Sequence, residues 1–445
     1  MNHLLCGLAA NPALPPELVD RLLTLALKGA GAEPERDYAD ELLRDLARRT
    51  DLRRDQVRAL AAYAEGTAVS LAYCGTLTAA DVDPVSTPYA AVALIDEGRG
   101  HPDWPRLLAA HPDSEIRWKL ASCPGLPPDA VDLLAADPDV EVVKEVALWT
   151  DSPVTARLAL HPDPQVRLAV SANLSTPLEA VLALAEDPEL TLNWALSERT
   201  DLPQELYARL AADPLPGVRA TYARNPGSGQ ELIRVLAADP ENQVRRAVAE
   251  HPHVPLDLLT ELVVGDRAAW NPLPRIAAAT PAELAELAGS RHAAVRMLVA
   301  QRRDLPPHLR DALAVDPAAA VVRAVAPHPG LSEELLRAMV ARHGVQVLAA
   351  VAANPDASGP LLEHLTQHQQ GVRRVLEEVA KHPHATGQAL LACLEDHTSR
   401  PLAAAHPALP PEAITGLLAD EDRRVAEEAA GNPSLPRAVM LELVP

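Results

Sequence analysis

From about residue 111 onward, apolar and polar positions repeat with a period of about 26 residues. The clearest copy is Asp239-Pro240-Glu241-Asn242-Gln243-Val244-Arg245-Arg246-Ala247-Val248-Ala249-Glu250-His251-Pro252, followed by the Leu-rich stretch Leu256 to Val264. Its apolar residues Val244, Ala247, Val248 and Ala249 share one face of a helix. The pattern restarts at His111, Asp137, His161, Asp187, Asp213, Asp316 and Asp420, with weaker copies near Gly265, Ser290, Arg342, His368 and Leu394. These amount to about thirteen units, well above the three or so that a stacked array needs.

Each unit predicts two short helices. Asp before Pro marks the first start, with Asp expected as N-cap and Pro as the first helical residue. His-Pro or Asn-Pro marks its stop, because the residue before Pro is pushed out of the α region. Asn225, His251, His328, Asn354, His382, His406 and Asn432 hold that position. The second helix opens with runs such as Leu126-Pro127-Pro128 and Leu409-Pro410-Pro411, and carries Leu pairs such as Leu133-Leu134. Such a pair of helices exposes an apolar face that only a neighbouring pair can bury. The fold expected is therefore all-α, a solenoid of about thirteen or more two-helix repeats, with the shortest helices partly 3₁₀.

The first hundred residues are less regular. Asn11-Pro12-Ala13-Leu14-Pro15-Pro16-Glu17 copies the second half of a repeat, so the array is expected to begin at the N-terminus. Loops are expected at 29–35 and 81–88, with a helix over 38–49 between them. Residues 1–100 read as a divergent capping region, and 101–445 as the regular array.

The series Asp-Pro, Val-Arg, Ala-Val-Ala, Asn-Pro, Leu-Pro-Pro-Glu resembles the leucine-rich repeat variant (LRV) proteins, and Asp followed six residues later by Arg resembles the HEAT signature. The LRV resemblance implies a right-handed superhelix of paired α- and 3₁₀-helices. Some LRV proteins hold an iron–sulfur centre in an N-terminal Cys cluster. Here Cys6, Cys74, Cys123 and Cys393 are too scattered for that, and no cofactor is expected.

Charge narrows the partners. Forty Lys and Arg against 61 Asp and Glu give a net charge of −21, which opposes binding along a phosphate backbone unless a local basic stripe overrides it. One column supplies a candidate stripe. Six positions into successive units stand Arg117, Val143, Arg167, Asn193, Arg219, Arg245, Arg296, Val322 and Arg373. These arginines either pair with the Asp of their own or the next unit, or line a groove for an acidic or phosphorylated peptide, and the two roles are compatible. One position further, the residue varies: Trp118, Lys144, Leu168, Trp194, Ala220, Arg246, Met297, Arg323. Four of the five Trp lie between Trp104 and Trp194, with Tyr207 and Tyr222 close behind. They are either fillers of an Ala-rich core or interface anchors. The partner-binding candidates are Arg117, Trp118, Arg167, Trp194, Arg219, Tyr222, Arg245 and Arg246.

Catalytic signatures do not emerge: the sequence has no Gly-rich phosphate loop, nucleophile elbow or dinucleotide fingerprint. Of 16 His, seven directly precede Pro, where an imidazole can face the last carbonyls of its helix. His364 and His368 have i, i+4 spacing near His382 and His384, but nothing completes a zinc motif, and no metal is expected. With no signal-peptide pattern and no run of 18 apolar residues, the expectation is a cytoplasmic protein without a membrane span, and the Arg-, Ala- and Pro-rich composition suggests a bacterial source. The function expected is a non-catalytic scaffold that binds a partner chain along one face. The alternatives are nucleic-acid binding through the Arg column and a repeat-built modifying enzyme or lyase. The sequence sets no oligomeric state.

Overall fold

The computed structural model describes residues 3–29, 36–187, 192–265, 272–367 and 372–445. Among them are 33 α-helices, two 3₁₀ turns and no strand, so the chain is an all-α solenoid of consecutive helix pairs. The expected 3₁₀ geometry is found at Ala79–Asp81 and Gly344–Gln346, while the helices of the regular repeats are α. The weak repeat copy near His368 lies at the edge of a segment outside the described residues.

Contacts divide the chain into two compact units, Thr50–Gly265 and Met1–Arg49 with Asp266–Pro445. Within Thr50–Gly265, the first helix of each repeat stacks on the first helix of the next: Ser114–Ala121, Val140–Trp149, Pro164–Ala172, Asn193–Glu198, Pro216–Arg224 and Asn242–Ala249. The second helices, such as Gln204–Ala211 and Gln230–Ala237, cover one side of that stack. The residues of the repeat's apolar face, Val244, Ala247, Val248 and Ala249, are fully buried. Of the pair Leu133-Leu134 only Leu134 is buried, because adjacent residues on a helix point about 100° apart.

The other unit contains the same stack, running through Val372–Lys381, Arg400–Ala405 and Arg423–Gly431. The N-terminal segment is a complete repeat, with Leu4–Ala10 as first helix and Pro16–Gly29 as second. Leu4–Ala10 packs on Arg423–Gly431, where Leu4 joins Ala426 and Ala430 in one apolar cluster. Gly7 makes that approach close: a Cβ there would overlap the Glu427 carbonyl. Arg423–Glu41 at 2.9 Å and Arg437–Glu17 at 2.5 Å flank the seam.

The punctuation works differently from the sequence expectation. Asp137, Asp213, Asp239, Asp316 and Asp420 are not N-caps; each side chain accepts the backbone N–H two residues on, closing a turn just before the helix. The helix N-cap is that second residue, as in Asp139, whose carboxylate accepts from Glu141 N–H. The Pro after Asp137, Asp213, Asp239 and Asp316 therefore lies outside the helix, whereas Asp163-Pro164 follows the expectation: Asp163 is the N-cap, accepting from Gln165 N–H, and Pro164 is the first helical residue. The two arrangements share one local sequence signature, and only the backbone separates them.

Candidate interaction surface

Three columns run along the stacked first helices, and each has a different job. The first is the stop position. Asn173 donates its amide to the carbonyls of Ala147 (2.9 Å) and Thr150 (2.7 Å), Asn225 to Ser197 and Arg199, and Asn354 to Ala326 and His328. Arg199 and Arg302 do the same with guanidinium groups. His251, His382 and His406 reach the carbonyls of Asn225, Asn354 and His382 through Nε2, while Nδ1 accepts a backbone N–H two residues ahead. A bare Nδ1 and a donating Nε2–H define a neutral imidazole, and burial holds the pKa of all three below the ordinary value. These side chains thus serve carbonyls of the preceding repeat rather than those of their own helix. His101, His111 and His161 precede Pro at unit starts instead, outside this column.

The second column is the Arg ladder. Arg117 grips Asp137 of the next repeat with Nε and Nη2 at 2.6 and 2.9 Å, and its Nη1 donates to the His111 carbonyl at 2.6 Å. Arg219 with Asp239 and Arg296 with Asp316 repeat the geometry, and Arg167 meets Asp187 at 2.7 Å. Arg400 with Asp420, at 2.5 Å, belongs to the same ladder, six residues after Leu394, where a weak copy of the repeat begins. Asn193 substitutes by donating to Asp213, and Val143 and Val322 are buried at the same place. The Arg219 guanidinium holds the Asp239 carboxyl below the usual carboxylate range. Arg245 donates to the carbonyls of Asp239 and Pro240 and to the Asn242 side chain. The guanidinium groups of Arg117, Arg167 and Arg219 are thereby spent on repeat-to-repeat pairing, with side chains only 11 to 13% exposed.

The third column faces outward. Trp118 and Trp194 are 40% and 49% exposed, with Lys144, Leu168 and Arg246 half-buried between and beyond them. Lys119 Nζ stands 5.6 Å from the Trp118 ring centre. The Trp194 ring lies over Gly217 of the next first helix, where a Cβ would overlap it. Ala220 is buried in this column. Tyr222 is a core residue, fully buried and stacked on Tyr207 with ring centres 5.4 Å apart. A signal for this was in the repeat: Tyr222 occupies the position of Val248, nine residues into its unit.

Little nucleophilic or metal-binding chemistry collects elsewhere. Burial pushes the thiols of Cys6, Cys123 and Cys393 up to about 12, so at neutral pH they stay protonated. Among the described residues no group of three or more His, Cys, Asp or Glu is placed to hold a metal ion. His368, half of the i, i+4 pair, lies outside those residues, and His382 is occupied by backbone hydrogen bonds. No helix among the described residues is long and apolar enough to cross a membrane.

The fold and its columns define the class, an all-α solenoid built from stacked helix pairs. No family model and no curated protein matches the chain.

Proposed function

We propose that the protein is a non-catalytic, cytoplasmic scaffold that binds a partner chain along the outward column of its first helices, and that it is kin to the LRV and HEAT repeat proteins. The observation that carries this reading is the contrast between adjacent columns. At one, arginines repeat and are consumed by pairing; at the next, the residue changes from unit to unit and places Trp118 and Trp194 in solvent. Trp and Arg are the usual anchors of protein interfaces, and rigid repeats present them with little ordering cost. Pairing of the ladder with Asp also supports a protein partner over nucleic acid, since those guanidinium groups are not open to phosphates.

The test is affinity capture from lysate with wild-type protein and Trp118→Ala/Trp194→Ala, followed by reconstitution with the purified captured protein. The reading expects one stoichiometric protein partner whose binding falls at least about tenfold in the variant, as for loss of interface anchors. Capture of nucleic acid instead, or a partner indifferent to both Trp residues, contradicts it.

A further inference from the structure

The unit containing residues 266–445 carries a cavity of about 640 Å³ on the first helices Ala319–Val325, Leu348–Ala352 and Val372–Lys381. Its origin is in the sequence. The middle helix offers Ala349 where the preceding repeat offers Arg323, with Ala350 and Ala353 beside it, so the floor is low and apolar while Arg323 and Arg374 of the flanking helices make long, basic walls. Gln346 and Glu378 complete the polar rim.

Arg323 and Arg374 differ from most arginines of this chain. The ladder arginines hold Asp, Arg373 stands 3.7 Å from Glu377, and Arg342 donates to the Val315 carbonyl. Arg323 and Arg374 are exposed and, among the described residues, make neither an ion pair nor a hydrogen bond. Two free guanidinium groups around one recess, in a chain of net charge −21, mark a local inversion of the surface field.

We propose that this cavity binds an acidic side chain of a partner peptide, its carboxylate held by Arg323 and Arg374 and its methylene stem laid on Ala349 and Ala353. Guanidinium recognises carboxylate through paired N–H donors, and the volume falls within the usual range for ligand sites of about 300–1,000 Å³. Gln346 and Glu378 supply acceptors for peptide N–H groups, and Gln346 also a donor for a peptide carbonyl. Glu378 selects a monoanion over a phosphate dianion, because its own charge on the rim repels the second negative charge more. This assignment rests on the scaffold reading and adds to it the chemistry of the partner.

The experiment is fluorescence anisotropy on the full purified chain at low salt, with labelled hexaglutamate and hexaglutamine peptides and with inorganic phosphate and free glutamate as competitors. Hexaglutamate is expected to bind at least about tenfold more tightly than hexaglutamine, and Arg323→Gln and Arg374→Gln each to weaken it about five- to tenfold, the net weight of about one hydrogen bond at an exposed site. Glu378→Gln is expected to narrow the preference for hexaglutamate over phosphate. Both arginines are exposed, so unchanged thermal melts of the variants are expected and exclude unfolding as the cause. Equal binding of the two peptides, or indifference to both arginines, overturns the site. Displacement of hexaglutamate by phosphate at lower concentration than by free glutamate overturns the carboxylate assignment. The readout uses no native partner, so its failure leaves the Trp118 and Trp194 capture experiment to judge the scaffold reading separately.

Discussion

Asn11 donates its side-chain amide to the carbonyls of Ala430 and Asn432, at 3.0 and 2.7 Å, the same pair of bonds that Asn432 makes to Ala404 and His406 one repeat earlier. Arg49 continues the series by donating to the carbonyls of Ala9 and Asn11. The N-terminal repeat is therefore stacked as the successor of the C-terminal one, by the device that Asn173, Asn225, Asn354 and Asn432 use toward their own neighbours.

Asn11→Ala leaves two buried carbonyls without a donor and is expected to cost about 1–3 kcal/mol, the penalty of unpaired buried polar groups. Amide hydrogen exchange reads where the loss falls. Protection should drop first in Leu4–Ala10 and Arg423–Gly431, which form the seam, and stay unchanged in Asn242–Ala249. A uniform loss across all three helices would contradict the local role.

Asp239 serves two masters, the Arg219 guanidinium and the Glu241 N–H. Both side chains of the ion pair are largely buried, at 13% and 8% exposure, so Arg219→Ala strands a carboxylate and is expected to destabilise by about 2–4 kcal/mol. Urea unfolding followed by circular dichroism measures it. Arg224→Ala, which breaks an exposed pair with Glu250, should cost under about 1 kcal/mol in the same assay.

How much of this was legible in the sequence depends on the range of each interaction. The core positions were, because Val244, Ala247 and Val248 mark a helix face with no knowledge of neighbours. The Arg-to-Asp pairing was legible as one of two readings, since a period of about 26 fixes which residues recur but not which neighbour they touch. The carbonyl partners of Asn225 and His251 were not, because a backbone acceptor leaves no sequence mark and belongs to another repeat. The docking of Leu4–Ala10 on Arg423–Gly431 was equally hidden, being a contact between distant segments. For the outward surface, variation at Trp118 and Trp194 was visible, but not the packing of Trp194 over Gly217, nor the cavity beside Ala349.

Buried neutral imidazoles make stability depend on pH. His251, His382 and His406 have folded pKa values below their unfolded value of about 6.5, so the unfolded chain binds protons that the folded chain refuses. Their contribution is intact above about pH 7 and is lost progressively as pH falls through about 6.5 toward the lower folded pKa. Asn does the same work at Asn225, Asn354 and Asn432. The triple variant His251→Asn/His382→Asn/His406→Asn should therefore lose less melting temperature than wild type between pH 8 and pH 5.5. Parallel pH profiles would contradict this.

Gly217→Ala tests the outward column without touching an anchor. The new methyl occupies the place of the outer edge of the Trp194 ring, and this half-exposed side chain can swing away, so the melting temperature should shift by no more than about 2–4 °C, a cost near 1 kcal/mol. Trp fluorescence should move to longer wavelength, and affinity for a captured partner should fall. An unchanged spectrum would place the ring elsewhere.

The central claim is a division of labour between neighbouring columns, one that stacks repeats and one that meets a partner. Thermal melting by circular dichroism of two variants side by side tests it most directly: Arg117→Glu/Arg167→Glu/Arg219→Glu/Arg245→Glu against Trp118→Ala/Trp194→Ala. The ladder variant is predicted to lose its cooperative transition, because three of the four new carboxylates replace largely buried guanidinium groups that face Asp and the fourth meets backbone carbonyls, while the Trp variant melts close to wild type. A ladder variant that melts like wild type, or a Trp variant that unfolds with it, would contradict the assignment of both columns.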